Sequence, residues 1–292
     1  MVVLPLVLTT PASAGDYDDV CGVSTPAAIY ENDTCIVYLT VVGENTFTAP
    51  EALETVSVIL VGGGGGAYAS EDESNPAAFG GGAGEVLTFS GVDSTSTITA
   101  TVGDRGYADE ESDLNLRNGQ ETSIPGYTAA RGGKVATAAG GGASGNGNAG
   151  HNVSPGGGGG AGGASTSGDG GQGFDFASLG APFNAVQDLL APGGDAIADG
   201  DPDDLKTGFW GEGGAASEND GKESPTRGAV IFLWSPNDLD NADDESNGES
   251  DSDSETGLPE TGAPVGIVFL ILGLAATGVG AKVLRLRVSE TK

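Results

Sequence analysis

The stretch VSVILVGGGGGAYA, residues 56–69, joins a run of strand-forming residues to five consecutive glycines. Val56 to Val61 is apolar apart from Ser57 and rich in β-branched residues, which suits a buried, pleated strand. The residues after that strand decide the fold. Gly62, Gly64 and Ala67 fall at the G-x-G-x-x-G/A spacing of a dinucleotide-binding turn. Such a turn requires a helix directly after its glycines, because the helix N-terminus holds the pyrophosphate. The sequel, AYASEDESNPAAFGGGAG (67–84), carries Pro76 and a second glycine run and has no 3.6-residue apolar period. No βαβ unit is formed, so the dinucleotide reading is discarded and no cofactor is expected.

The glycine runs recur at 62–66, 80–84, 140–142, 156–160 with 162–163, 168–173 and 211–214. Between them lie short strand-like segments: TCIVYLTVV (34–42), TVSVILV (55–61), EVLTFSG (85–91), TITATVG (97–103) and RGAVIFLW (227–234). The third and fourth alternate with period two. AVQDLLA (185–191) suggests one or two helical turns, and no long amphipathic helix is evident. A flexible linker would mix serine with glycine and would not alternate with strands. Ordering five glycines costs maximal backbone entropy, so folded runs need a compensating interaction. Extended three-residue-per-turn helices, packed backbone to backbone with each N–H on a neighbour's carbonyl, would supply it. The competing reading is that the runs are mobile loops.

The whole chain has 292 residues, 53 of them glycine against roughly 7% in average usage. With 14 prolines and no G-X-Y period, collagen is excluded. The net charge of −31 repels phosphates and excludes a nucleic-acid partner. Cys21 and Cys35, close together near the N-terminus, read as a disulfide if the chain is exported, worth on the order of 3 kcal/mol. A metal site or two free thiols are the alternatives, but no other Cys or His is near enough in sequence to complete a zinc site. The single histidine, His151, lies in NGNAGHNVSPGG and reads as a solvated loop residue, not a catalyst.

Both ends carry addresses. MVVLPLVLTTPASAG opens with apolar residues and an A-x-A cleavage pattern at Ala12–Ala14, so residues 1–14 read as a secretion signal, although without a basic n-region. Near the other end stand LPETG (258–262), a 19-residue apolar stretch (263–281), then Lys282, Arg285 and Arg287. As a helix the stretch is about 28 Å long at 1.5 Å per residue. That just spans a hydrocarbon core of roughly 30 Å, with the basic residues on the cytoplasmic side. In this order the three parts resemble the LPXTG sorting signal of Gram-positive surface proteins. The resemblance implies that a sortase cysteine attacks the Thr261–Gly262 carbonyl and passes Thr261 to an amine of peptidoglycan. Leu258, Pro259 and Glu260 would complete the recognition motif, and the apolar helix would be discarded. The mature chain, 15–261, then has 7 basic against 41 acidic residues, a net charge of −34. SPNDLDNADDESNGESDSDSETG (235–257) has nine acids and no base, and reads as an extended, disordered wall spacer.

A second resemblance runs from about 43 to 235, through GENTFTAPEALETVSVILVGGGGGA, FGGGAGEVLTFSG, TITATVGDRG, TAARGGKVATAAGGGASGNG, PGGGGGAGG and RGAVIFLW. In order and texture it is similar to the glycine-rich domain of bacterial and phage surface proteins, and of the leukocyte and anaplastic lymphoma receptor tyrosine kinases. It implies an all-β fold: a jelly-roll, TNF-like sandwich with inserted polyglycine II helices, in which strands 56–61 and 230–234 share one sandwich. The expected organisation is a signal peptide (1–14), an N-terminal segment with the disulfide (15–42), the glycine-rich β domain (43–235) expected to fold by itself, the spacer (236–257) and the sorting signal (258–292).

Other chemistry is weaker. GGQGFDFAS (170–178) is one imperfect copy of a calcium-binding nonapeptide that acts only in tandem. Asp201, Asp203 and Asp204 in DGDPDD read as a solvated loop before a calcium site. Neither Lys134 nor Lys206 has the Tyr-Pro-Lys context of a pilus shaft. No metal site and no catalytic residue is assigned. The expected role is a non-enzymatic, wall-anchored surface protein that adheres to a glycan or host surface protein through loops. A structural coat or stalk and a carboxylate-dependent hydrolase are the rivals. Exposed aromatics near Tyr68, Tyr107, Tyr127 or Trp210 would favour sugar binding, because sugar faces stack on rings.

Overall fold

The computed structural model describes residues 17–70, 76–107, 118–186, 190–198, 209–218, 221–222 and 224–240. Twelve strands lie among them: β1 (Ile29–Glu31), β2 (Thr34–Leu39), β3 (Gly43–Phe47), β4 (Thr55–Val61), β5 (Tyr68–Ala69), β6 (Ala78–Phe79), β7 (Val86–Asp93), β8 (Ile98–Val102), β9 (Ala196–Ile197), β10 (Ala216–Ser217), β11 (Gly221–Lys222) and β12 (Ala229–Trp234). Helix among the described residues is confined to single turns, α1 (Asp18–Cys21), α2 (Asn237–Asp240) and a 3₁₀ turn at Phe183–Ala185. The fold is all-β.

The main sheet has the order β1-β2-β12-β4-β7, antiparallel throughout. Its central strand β12 reads as an unbroken apolar run, and β2 and β4 as largely apolar ones, because both faces are covered. Side chains alternate across a strand. Val37, Val58, Leu60, Val230, Phe232 and Trp234 therefore enter one core, and Ile36, Ile59, Val61, Ile231 and Leu233 enter another. In register, Phe232 faces Val37 on one side and Val58 on the other. The β3–β8 pair closes the first core, where Phe47 stacks on Phe232 with centroids 4.2 Å apart. The second core is closed by Phe176, Phe183, Val186 and Leu190. An extra residue in β7 between Phe89 and Val92, with Gly91 at φ +69°, bulges that edge strand.

The 15–42 segment is not a separate appendage. β2 pairs with β12 along five residues, and Cys35, Val37 and Leu39 sit in the first core. Asn32 and Asp33, at φ +50° and +58°, form the two-residue turn that joins β1 to β2. Cys21 and Cys35 are disulfide-bonded, with Cα atoms 5.6 Å apart, and Trp234 Nε1 donates to the Cys21 carbonyl. The folded unit therefore includes its N-terminal strands, and the expected start at residue 43 is corrected to take them in. At the other end α2 lies inside the expected spacer, and Leu239 packs on the first core. Residues 1–14 and 241–292, with the rest of the spacer, LPETG and 263–281, lie outside the described residues, as does 199–204. Among the described residues no helix is long and apolar enough to cross a membrane.

The glycine runs are ordered. Gly80 and Ala83 donate to the carbonyls of Gly156 and Gly159, Gly81 and Gly84 to those of Gly214 and Gly211, and Gly82 and Glu85 to those of Lys134 and Arg131. Residues three apart thus bond the same neighbour, as a three-residue-per-turn helix requires. On the accepting side, the Gly80 and Ala83 carbonyls take N–H groups of Gly142 and Gly145, and those of Gly81 and Gly82 take Gly194 and Gly65. Run 80–85 is therefore surrounded by six others, with every one of its N–H groups committed. The separation leaves no room for side chains: a Cβ on Gly81 would lie 1.9 Å from the Gly65 oxygen. The mobile-loop reading is thereby set aside for these runs. His151 belongs to the same lattice, donating from its backbone N–H to Gly157 and accepting from Gly141, while its Nδ1 is buried without a partner. The solvated-loop reading of that residue is corrected accordingly.

Candidate functional site

Gly64, the middle of the five glycines at 62–66, connects the bundle to a cleft. Its N–H donates to the Thr226 carbonyl, and its own carbonyl accepts from Gly106. It thereby ties together two segments distant in sequence, 104–107 after β8 and 225–227 before β12. Gly228 adds a bond to the Gly103 carbonyl. Thr226 reaches back through its hydroxyl, which accepts from Glu212 N–H and donates to the Phe209 carbonyl. The stretch 56–69 thus supplies a buried strand and then a backbone rail on which the walls of a surface site are hung.

Between those walls lies a cleft of about 440 Å³, lined by Val42, Asp104, Arg105, Tyr107, Trp210, Pro225, Thr226 and Arg227. The volume falls within the ordinary range of small-ligand sites. Tyr107 is exposed, and its hydroxyl donates to Asp104 Oδ2 at 3.0 Å. That hydrogen bond, and then the Asp104 charge, push the phenol pKa up and keep it protonated. The second Asp104 oxygen accepts the Arg105 N–H at 2.8 Å. The Trp210 ring lies against Tyr38, with centroids 5.0 Å apart. Two oriented aromatic surfaces and two guanidinium groups therefore share one opening. Such an opening can hold a flat-faced polar ligand by stacking and hydrogen bonding.

The four aromatics singled out in the sequence divide. Tyr107 and Trp210 come together in this cleft. Tyr127 packs edge-on against Phe89, and Tyr68 tilts against Phe79. The nonapeptide at 170–178 is taken up by the fold: Gly171 joins the bundle, Phe176 is buried, and Asp175 accepts the Ala177 N–H. Among the described residues no cluster of three His, Cys, Asp or Glu could hold a metal. As for paired carboxylates, Asp195 is raised by burial first, opposed by its hydrogen bond from Gly170 and aided by the Asp169 charge. Neither aspartate lines the cleft. Arg105 and Arg227 were not anticipated as site residues. Each precedes a buried glycine, as Arg131 does, and that Arg-Gly pairing is the one local sign that the side chain is held at the bundle surface.

A model of the glycine-rich domain family matches residues 40–281. The chain belongs to that family. No curated protein shows a significant match to it. In this glycine-rich domain the family match begins at Thr40, just after β2, whereas the folded core takes in β1 and β2 as well.

Proposed function

We propose that this glycine-rich domain is displayed on the outside of a Gram-positive cell and adheres to glycans through the cleft of Tyr107 and Trp210. Export follows from residues 1–14, and attachment from a sortase joining Thr261 to peptidoglycan. The order LPETG, apolar 263–281, Lys282, Arg285 and Arg287 supports the attachment. The one observation that carries the adhesive role is the meeting of Tyr107 and Trp210 over 103 residues of sequence. Sugar faces stack on rings, and a rigid scaffold carrying its binding groups on connecting segments is a general arrangement. A protein rival in the same cleft would be a host surface protein. The coat or stalk reading is favoured by the bundle itself, a rigid element built without side chains. A hydrolytic role is not part of the proposal.

The attachment is tested by Thr261→Ala in a sortase-bearing Gram-positive host, with the protein followed in wall, membrane and medium fractions. The expected result is loss of the covalent wall-linked form, with the chain held in the membrane or shed. Undiminished wall linkage would refute the assignment. Adhesion is tested by a glycan array probed with the chain and its Trp210→Ala variant. A saturable signal lost in the variant supports the cleft; no signal with either moves the weight to the coat reading.

A further inference from the structure

We infer that the cleft selects sugars bearing a carboxylate, a uronic acid residue being the simplest case; the inference rests on the glycan-binding reading above. The chain has 11 basic residues against 42 acidic ones. Two of the 11, Arg105 and Arg227, line this one cleft. Both are exposed. The ion pair found among the described residues is Glu85–Arg131, so neither cleft arginine has a carboxylate partner there. Asp104 is the one acid lining the cleft among those residues, and both its oxygens are already occupied, by Arg105 N–H and by the Tyr107 hydroxyl. Among the described residues the cleft therefore carries two guanidinium groups against one occupied carboxylate, in a strongly acidic molecule.

The backbones of the two arginines are fixed. Asp104 Oδ1 holds the Arg105 N–H, the following Gly106 is bonded to Gly64, and the Arg227 carbonyl accepts from Gly211. A guanidinium presents a planar fork that matches a carboxylate in bidentate fashion, and its contacts to an anion are roughly twice as strong as neutral ones. A uronate ring stacked on Trp210 or Tyr107 would direct its carboxylate to that fork. A neutral sugar would use the rings and leave the guanidinium groups to water.

The surrounding charge gives the selection an unusual salt dependence. A net charge of −31 repels an anionic oligosaccharide at long range. At an ionic strength of about 0.1 M, interactions beyond roughly 10 Å are largely screened, while a contact with Arg105 or Arg227 is screened less. Affinity for a uronate oligomer should therefore rise from about 10 mM to about 100 mM salt and fall again at higher salt. A basic patch on a neutral protein would show only the fall.

The experiment compares oligogalacturonate, a neutral galactose oligomer of equal length and a sulfated one, titrated against the full chain in mild detergent. Oligogalacturonate should bind about tenfold tighter than the neutral oligomer, a difference of about 1.4 kcal/mol. In Arg105→Gln and Arg227→Gln that advantage should disappear, with Arg105→Lys recovering part of it; thermal melting checks that the variants are folded. Equal affinity for neutral and uronate oligomers would overturn the carboxylate selection and leave glycan binding standing. Tighter binding of the sulfated oligomer would replace carboxylate by sulfate as the recognised group. Absence of binding by all three would overturn both readings.

Discussion

In the sheet, Phe232 is held between Val37 and Val58 and capped by Phe47. In the bundle, Gly81 is held between Gly65, Gly194 and Gly214 by two hydrogen bonds and bare backbone contact. Side chains set the spacing and the register of the first region, because a slip of one residue would turn Phe232 and Trp234 to the other face. In the second region nothing projects from the chain, so the register is set by which N–H meets which carbonyl. A side-chain core can relax around a lost methyl group. A lattice of backbones has no soft component to move, and adding a methyl group is the more serious change.

The largest expected effect follows from that difference. Gly81→Ala would drive its Cβ to 1.9 Å from the Gly65 oxygen and 2.7 Å from its carbonyl carbon. Backbone must shift across the six-neighbour array, so the cost should exceed the ~1–3 kcal/mol usual for overpacking. Loss of soluble, folded protein is the expected result. Gly163→Ala, in a similar glycine-rich stretch, meets nothing within 4 Å. That change should be neutral or stabilising, by up to about 1 kcal/mol through the unfolded state. Chemical denaturation of both variants gives the comparison directly, and similar stabilities would mean that the runs are not packed as described.

Next comes the covalent tie of the sheet region. Reducing Cys21–Cys35, which closes a 14-residue separation, should cost about 3 kcal/mol in the chain-entropy account. The loss bears on the first core, since Trp234 donates to the Cys21 carbonyl and both cysteines are buried there. Melting with and without a reductant measures it. An unchanged Tm would show that β12 and the Phe47 stack hold this end without the bridge.

The two regions also differ in how far they could be read in the sequence. The strands were legible because their cause is local: β-branched residues at period two, and an all-apolar β12 whose composition announces burial on both faces. The partnership of β2 with β12 was not legible, because 35–39 and 230–234 are far apart in sequence and nothing local in either strand names its ladder partner. The glycine runs could be recognised as candidates for backbone helices, but not their neighbours. Glycine carries no side chain by which one run is distinguished from another, so the choice of Gly214 or Gly156 as partner is made by the fold as a whole. The cleft was half legible for the same reason. Tyr107 and Trp210 are aromatics that invite attention singly, whereas their meeting depends on Gly64 joining 106 to 226.

The smallest expected effect concerns two carboxylates on the bundle with opposite signs. Burial pushes the Glu85 carboxyl up, but the side-chain and backbone hydrogen bonds from Arg131, with its charge, more than offset this and the pKa is lowered. The pair is bidentate, Nε to Oε2 at 2.9 Å and Nη2 to Oε1 at 3.1 Å. A lowered folded pKa means stability that is present above the unfolded value of 4.5 and is lost as pH falls through the folded value. Asp195 is shifted the other way, by burial above all, so its contribution is present below 3.8 and is lost as pH rises through its folded pKa. Glu85→Gln should therefore flatten the acid limb of a Tm-against-pH profile. Asp195→Asn keeps an acceptor for the Gly170 N–H and removes the buried charge, so it should raise Tm slightly at neutral pH and leave the acid end alone. If both variants moved the profile in the same sense, the two carboxylates would share one environment, and the distinction between an ion-paired edge of the bundle and a desolvated one would have to be abandoned.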